Sequence, residues 1–136
     1  MRILNCILLI DDDPASLFIT KKVIRNLMIS QEVESVGNGC EGKDFVDDYF
    51  KKFNKHPDLI FLDINMPVCD GFEFMTFINE KYPTLVNSVV ILTTSSHPRD
   101  EEKMKELGIK HYISKPITLE KLSKFLAADS HIPFTI

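Results

Sequence analysis

The sequence contains few cysteines, and none of them stands in a metal-binding or disulfide pattern. Cys6, Cys40 and Cys69 are an odd number and include no CxxC spacing. A disulfide framework uses paired cysteines and a zinc site uses closely spaced ones, so neither is expected. We interpret all three residues as small buried or partly exposed thiols.

A P-loop and an excess of basic residues are also absent. The five glycines do not form a P-loop, and we do not expect nucleotide binding. The 16 Lys and Arg residues against 20 Asp and Glu give a net charge of -4. Such a chain has no general attraction for nucleic-acid phosphates or anionic membranes, and we expect neither as a partner.

No apolar run is long enough to span a bilayer. The run at residues 3–10 faintly resembles the start of a signal peptide, but Asp11, Asp12 and Asp13 stand where a small-residue cleavage site would have to follow. We therefore expect a cytoplasmic protein.

The chain does contain enough apolar material for one core. Its 136 residues, 44% of them hydrophobic, fit a single globular domain. We place that domain at residues 1–128 and treat residues 129–136 as a C-terminal tail.

Five short apolar segments alternate with segments of helical spacing. The predicted strands are residues 6–10, 32–36, 59–62, 88–93 and 112–114. Continuous apolarity in the first and fourth is typical of strands buried on both faces of a parallel sheet. Five successive βα units predict an α/β sandwich with right-handed crossovers.

Charged and hydroxyl residues follow four of these strands, at the sheet edge where α/β proteins bind ligands. They are Asp11, Asp12 and Asp13, then Asp63, then Thr93 and Thr94, and finally Lys115. Crowded carboxylates repel one another, and an oxygen-only ligand set favours a hard cation such as Mg²⁺. A metal and a lysine around one carboxylate suit phosphoryl transfer, with Asp63 as the nucleophile.

These residues resemble the receiver domain of response regulators in two-component systems, of the stand-alone chemotaxis type. The similarity is carried by LIDDDP at residues 9–14, LDINMP at 62–67, Asp70-Gly71, Leu92-Thr93 and YISKP at 112–116. It covers roughly residues 4–128. The resemblance implies a flavodoxin-like (βα)5 three-layer sandwich, whose parallel five-stranded sheet has the order 2-1-3-4-5.

The resemblance also assigns a metal site. It makes Asp63 the phosphoacceptor and a ligand of Mg²⁺ or Mn²⁺, with Asp12 as the direct carboxylate ligand. The backbone carbonyl of Asn65 would complete the protein ligands, and Asp11 would act through water.

A second set of roles concerns the phosphoryl group and its readout. By the same resemblance, Lys115 and Thr93 bond phosphoryl oxygens, and Tyr112 changes rotamer together with Thr93. The peptide bond between Lys115 and Pro116 is expected to be cis. Thr94 would be the switch hydroxyl instead if the strand slipped by one residue; we prefer Thr93 because it directly follows the apolar run.

Three positions are expected to tune dephosphorylation. Asn65 would face the phosphoryl group, while Thr94 and Ser95 flank the route of the attacking water. Thr94 is larger than the family's usual residue, and Ser95 stands where other members carry a longer or charged side chain.

The implied function is a single-domain response regulator that receives phosphate from a histidine kinase or a histidine phosphotransfer protein. Its output would be a protein contact through the face formed by helix 4, strand 5 and helix 5. A phosphorelay intermediate that passes phosphate onward would use the same residues. The downstream target stays open.

Three other functions fit less well. A degenerate receiver usually lacks an acidic ligand or the lysine, and both are present. Phosphatases and mutases with an aspartyl phosphate commonly carry a second aspartate two residues after the nucleophile, where this chain has Asn65. An FMN carrier needs a glycine- and hydroxyl-rich loop after the first strand, where three aspartates would repel FMN.

Overall fold

A parallel five-stranded sheet forms the centre of the protein. The computed structural model describes residues 3–94 and 98–128. The strands are β1 (Leu4–Ile10), β2 (Ser30–Val36), β3 (Leu59–Asp63), β4 (Val89–Thr93) and β5 (His111–Ser114). All neighbours pair in parallel in the order β2-β1-β3-β4-β5, which confirms the predicted topology.

Helices cover both faces of this sheet. They are α1 (Pro14–Leu27), α2 (Gly39–Phe53), α3 (Gly71–Lys81), α4 (Pro98–Glu106) and α5 (Leu119–Ala128), with a 3-10 helix at Pro83–Ser88 before β4. Buried side chains of α1 and α5 pack with the strands into one core cluster, and those of α2, α3 and α4 pack into a second. The predicted three-layer sandwich is therefore confirmed.

The alternation of apolar runs and turns located the strands to within two residues. The prediction began β2 at residue 32, whereas the strand starts at Ser30, which pairs with Leu4. Ser88 belongs to the 3-10 helix and not to β4. The proposed boundary at residue 128 stays a prediction, because the tail of residues 129–136 lies outside the described residues.

Side-chain caps set the loops at the carboxyl edge of the sheet. Asp13 caps α1 by accepting from the backbone N–H of Ala15 at 3.0 Å. Asp70 caps α3 in the same way through Glu73 at 3.0 Å. A cap side chain satisfies an N–H group that has no partner inside the helix. The loop after β1 and the loop after β3 are therefore each fixed at the end where the following helix begins.

The cysteine prediction was wrong for two of the three residues. Cys40 and Cys69 are joined by a disulfide, with their Cα atoms 5.5 Å apart, while Cys6 is a buried free thiol. An odd number of cysteines does not prevent one pair from forming. The partners are separated by 29 residues, and only the fold brings them together.

None of the described helices has the length and apolarity that crossing a membrane requires.

Candidate functional site

Three carboxylates meet at the carboxyl edge of β1 and β3. These strands are neighbours, with Ile10 paired to Leu62, so the residues after them come together. One carboxylate oxygen from each of Asp11, Asp12 and Asp63 lies within 4.8 Å of the others. The structure thus brings together the acidic residues that the sequence predicted as a cluster.

Asp11 is the buried member of this cluster, with 3% of its surface exposed. One of its oxygens accepts from the backbone N–H of Asp13 at 2.9 Å. The other accepts from the Ser16 hydroxyl at 2.7 Å and from the Lys115 ammonium at 2.9 Å. A buried carboxylate needs such hydrogen-bond partners, and together they hold Asp11 in a fixed orientation.

Lys115 approaches the three carboxylates from β5, which lies on the other side of β3 from β1 in the sheet. It follows β5, and its backbone N–H donates to the Thr93 carbonyl at 2.8 Å. Its ammonium lies 3.6 Å from Asp63 as well as 2.9 Å from Asp11. The Lys115–Pro116 bond is cis, as predicted.

Asp63 has an unusual protonation equilibrium. Burial raises the pKa of its carboxyl from 3.8 to about 6; Lys115 opposes that rise, whereas the charges of Asp11 and Asp12 add to it. Desolvation and like charge both disfavour an anion, and the nearby cation only partly offsets them. A divalent cation among these oxygens would remove the repulsion.

The oxygen donors fit a hard divalent ion. The three carboxylates supply no nitrogen or sulfur, and Asp12 is exposed at the rim, where a hydrated ion can enter. Mg²⁺ keeps several waters and is commonly held by one or two carboxylates. Asn65 is exposed in the loop after β3, two residues beyond Asp63.

The residues predicted to act in the switch lie on β4 and β5. Thr93 is the last residue of β4 and is half-buried, whereas Thr94 is exposed beyond the strand. Tyr112 is half-buried on β5, and its hydroxyl donates to the carbonyls of Glu101 in α4 at 3.3 Å and Ile109 at 3.4 Å. Ser95 lies outside the described residues.

Two contributors to the site escaped the sequence reasoning. Ser16, which bonds Asp11, stands five residues further along the chain in the first turns of α1. Gly71 lets α3 begin against the backbone of Asp63, because a Cβ there would lie 2.8 Å from the Asp63 carbonyl oxygen. The role of Ser16 could have been inferred from its short distance in sequence from the aspartates. No local sequence pattern indicated the close packing at Gly71.

Comparison with known proteins agrees with this geometry. The model of the response regulator receiver domain matches residues 7–127. The chain belongs to this family. It is a receiver domain of two-component signalling.

Three relatives illustrate the range of that family. The response regulator Rcp1 of Synechocystis is 30% identical over 121 residues, covering 88% of this chain and 82% of Rcp1. The peroxide stress-activated histidine kinase mak3 of Schizosaccharomyces pombe is 32% identical over 127 residues, covering 88% of this chain but 5% of the kinase. A two-component response regulator from Cytophaga hutchinsonii has a TM-score of 0.79 at 29% identity, with 90% of this chain and 94% of that one covered.

The first curated relatives are mostly longer proteins. The receiver domain spans between 5% and 49% of the length of the first four. Receiver domains therefore occur here both within histidine kinases and as most of a protein, as in Rcp1.

Proposed function

We propose that this receiver domain acts as a response regulator that takes a phosphoryl group onto Asp63 from a histidine kinase or a histidine phosphotransfer protein. The observation that supports it best is the position of Asp63 beside two further carboxylates and 3.6 Å from the Lys115 ammonium. The Lys115 ammonium, together with a metal ion held by the carboxylates, would stabilise the negative charge of a phosphoryl group in transfer.

The metal ligands are Asp12, Asp63 and the Asn65 carbonyl, with Asp11 acting through water. Asp12 is exposed, so its carboxylate can bind the metal ion as the ion enters from solvent. Asp63 is partly buried, and its carboxylate would bind the same ion next to the phosphoryl group. Bound Mg²⁺, or Mn²⁺ in its place, supplies positive charge for the phosphoryl oxygens. Asp11 already accepts hydrogen bonds from Ser16, Asp13 and Lys115, which favours an indirect role.

Lys115 and Thr93 bind the phosphoryl oxygens. The backbone bond from Lys115 to Thr93 couples the two strand ends, so movement at one reaches the other. Tyr112 then transmits the change, because its hydroxyl already contacts the carbonyl of Glu101 in α4. The signal would appear on the face formed by α4, β5 and α5 as a shift between two states.

Dephosphorylation is tuned by Asn65, Thr94 and Ser95. Asn65 and Thr94 are both exposed at the mouth of the site, where water enters. Side chains there set the access of that water and hence the lifetime of the acyl phosphate.

The donor approaches beside α1. A groove of about 250 Å³ lies there between the start of α1 and the turn after β5, and Ser16, Ile19, Thr94 and Lys115 are among its lining residues. The groove reaches Lys115, whose ammonium lies 3.6 Å from Asp63.

We place the protein in the cytoplasm, with no nucleic-acid or membrane partner, in keeping with its net charge of -4.

Labelling with a small phosphodonor tests the function. Acetyl phosphate with Mg²⁺ should add one phosphoryl group to the intact mass, and chelation of the metal should prevent it. Asp63→Asn should remove the adduct, while Asp48→Asn on α2 should retain it. An adduct on the Asp63→Asn protein, or none on the wild type, would refute the proposal.

A further inference from the structure

The disulfide joins two segments that meet next to the phosphoacceptor. Cys40 is exposed in the first turn of α2, and Cys69 is fully buried in the loop between β3 and α3. That loop begins directly after Asp63 and contains Asn65. A covalent bond at Cys69 therefore acts on the segment whose backbone carbonyl is proposed as a metal ligand.

Backbone contacts hold the two segments together even without the sulfur bond. The N–H of Gly39 donates to the Cys69 carbonyl at 2.8 Å, and a Cβ on Gly39 would lie 2.6 Å from the Asp70 carbonyl oxygen. The loop itself closes where Gly71 donates to the Ile64 carbonyl at 2.9 Å. The two thiols thus stay within reach of each other after reduction, which favours reversible closure.

The start of α2 is a firm attachment point. Asn38 accepts from the backbone N–H of Glu41 at 2.9 Å, and the Glu41 carboxylate accepts from Gly37 at 2.9 Å. This reciprocal pair satisfies two N–H groups at the helix start. Linking the loop to such a helix narrows the positions that the loop can adopt.

We infer that Cys40 and Cys69 form a reversible redox site, at which disulfide formation by exchange with a small disulfide such as oxidised glutathione strengthens Mg²⁺ binding at the neighbouring carboxylates. The effect on the metal rests on the proposed function, whereas the thiol chemistry does not. The physical reason is that a loop already restricted loses less conformational entropy when the Asn65 carbonyl is ordered on the ion.

The exchange proceeds in two steps. The exposed Cys40 thiolate attacks one sulfur of oxidised glutathione, the glutathione S–S bond breaks, and one glutathione thiolate leaves. The Cys69 thiolate then attacks the Cys40 sulfur of the mixed disulfide and releases the second glutathione thiolate. Two electrons pass from the protein sulfurs to glutathione, and the two protons of the protein thiols end on the two glutathione thiols.

The other features of the chain agree with this assignment. A Cα separation of 5.5 Å suits a disulfide. Glu73 also lies within 4.8 Å of both sulfurs, but sulfurs bonded to each other are not metal ligands. Cys6 is an internal control, because burial within β1 raises the pKa of its thiol to about 12 and keeps it protonated.

The first experiment measures the thiols. The protein is equilibrated with mixtures of oxidised and reduced glutathione, trapped by alkylation after denaturation, and weighed intact. The expected result is a reversible transition between three alkylated cysteines and one, with Cys40→Ser alkylated at both remaining thiols in every mixture. Three alkylated cysteines in all mixtures, or stable glutathione adducts instead of the transition, would overturn the inference.

The second experiment measures Mg²⁺ affinity by titration calorimetry in the oxidised and reduced protein. Oxidation should tighten binding roughly fivefold, at the low end of couplings between sites. Cys40→Ser should bind like the reduced protein under both conditions, and Cys6→Ala should respond like the wild type. Equal affinities in a protein that still labels at Asp63 would reject the inference alone. Absence of both Mg²⁺ binding and labelling would reject the proposed function as well.

Discussion

The ammonium of Lys115 lies 2.9 Å from a carboxylate oxygen of Asp11, nearer than the 3.6 Å that separates it from Asp63. Both ends of the pair are well shielded, with side-chain exposures of 11% and 5%. Asp11 thus holds the lysine ammonium beside Asp63, the proposed phosphoacceptor. The cation is in place before a phosphoryl group arrives, which is the arrangement expected of preorganised electrostatic stabilisation.

Removal of this cation should slow phosphorylation. Lys115→Met should reduce the rate of labelling by acetyl phosphate on the order of 100-fold, because the transferring oxygens lose a fixed positive charge. The exposed Lys124, which pairs with Glu120 within α5, provides the control. Lys124→Met should label at the wild-type rate; equal rates for both variants would contradict the role of Lys115.

The raised pKa of Asp63 predicts a pH-dependent loss of stability in metal-free protein. The folded state holds a proton up to about pH 6, whereas the unfolded carboxyl releases it near its ordinary 3.8. The free energy of unfolding is therefore highest at low pH with respect to this group, and it falls as the pH rises from 3.8 to about 6. Asp63→Asn should be more stable than the wild type by about 1–3 kcal/mol at neutral pH, and by less at about pH 5.

Urea unfolding with a chelator at about pH 5 and about pH 7.5 measures that difference. Saturating Mg²⁺ should reverse the trend, because the bound ion favours the carboxylate of the wild type and not the amide of the variant. A stability difference that is the same at both pH values would show that Asp63 ionises normally.

The hydroxyl of Ser16 is expected to stabilise the buried Asp11. Ser16→Ala removes a 2.7 Å hydrogen bond to that carboxylate and should cost about 1–2 kcal/mol of unfolding free energy. Ser30 donates to the Glu32 carbonyl at an exposed position, so Ser30→Ala should cost about 0.5 kcal/mol or less. Thermal or urea unfolding compares them; a neutral Ser16→Ala would mean that water replaces the hydroxyl.

Close packing at Gly71 should make this residue difficult to replace. In Gly71→Ala the new methyl group would lie 2.8 Å from the Asp63 carbonyl oxygen and 3.0 Å from the Ile64 Cα, so the backbone at Asp63 must shift. We expect a loss of about 1–3 kcal/mol and slower labelling. Gly37→Ala meets its nearest atom at 3.6 Å and should leave both properties unchanged.

Much of the architecture could be predicted because the pattern that specifies it is local. Continuous apolar runs produce strands buried on both faces, and Asp13 before Pro14 begins α1 with a cap. The first residues of β2 were missed because Ser30 and Gln31 carry no apolar signal. Pairing with β1 alone makes them a strand.

The disulfide shows the opposite limit. Cys40 follows β2 by a few residues and Cys69 follows β3, and neither has a neighbouring cysteine in the sequence. Their sulfurs meet because α2 begins against the loop that leads into α3. Counting and spacing cannot detect such a contact, since it depends on the packing of two layers.

The sequence by itself determined which residue types stand at the carboxyl ends of four parallel strands, and hence the fold and the chemistry that the site can hold. Only the tertiary structure decided that Lys115 bonds Asp11 more closely than Asp63, and that the pKa of Asp63 is raised. Both follow from distance and burial. Electrostatic interaction and desolvation depend on where groups lie in space, and residues more than a hundred positions apart in the chain acquire that relation only when the sheet has formed.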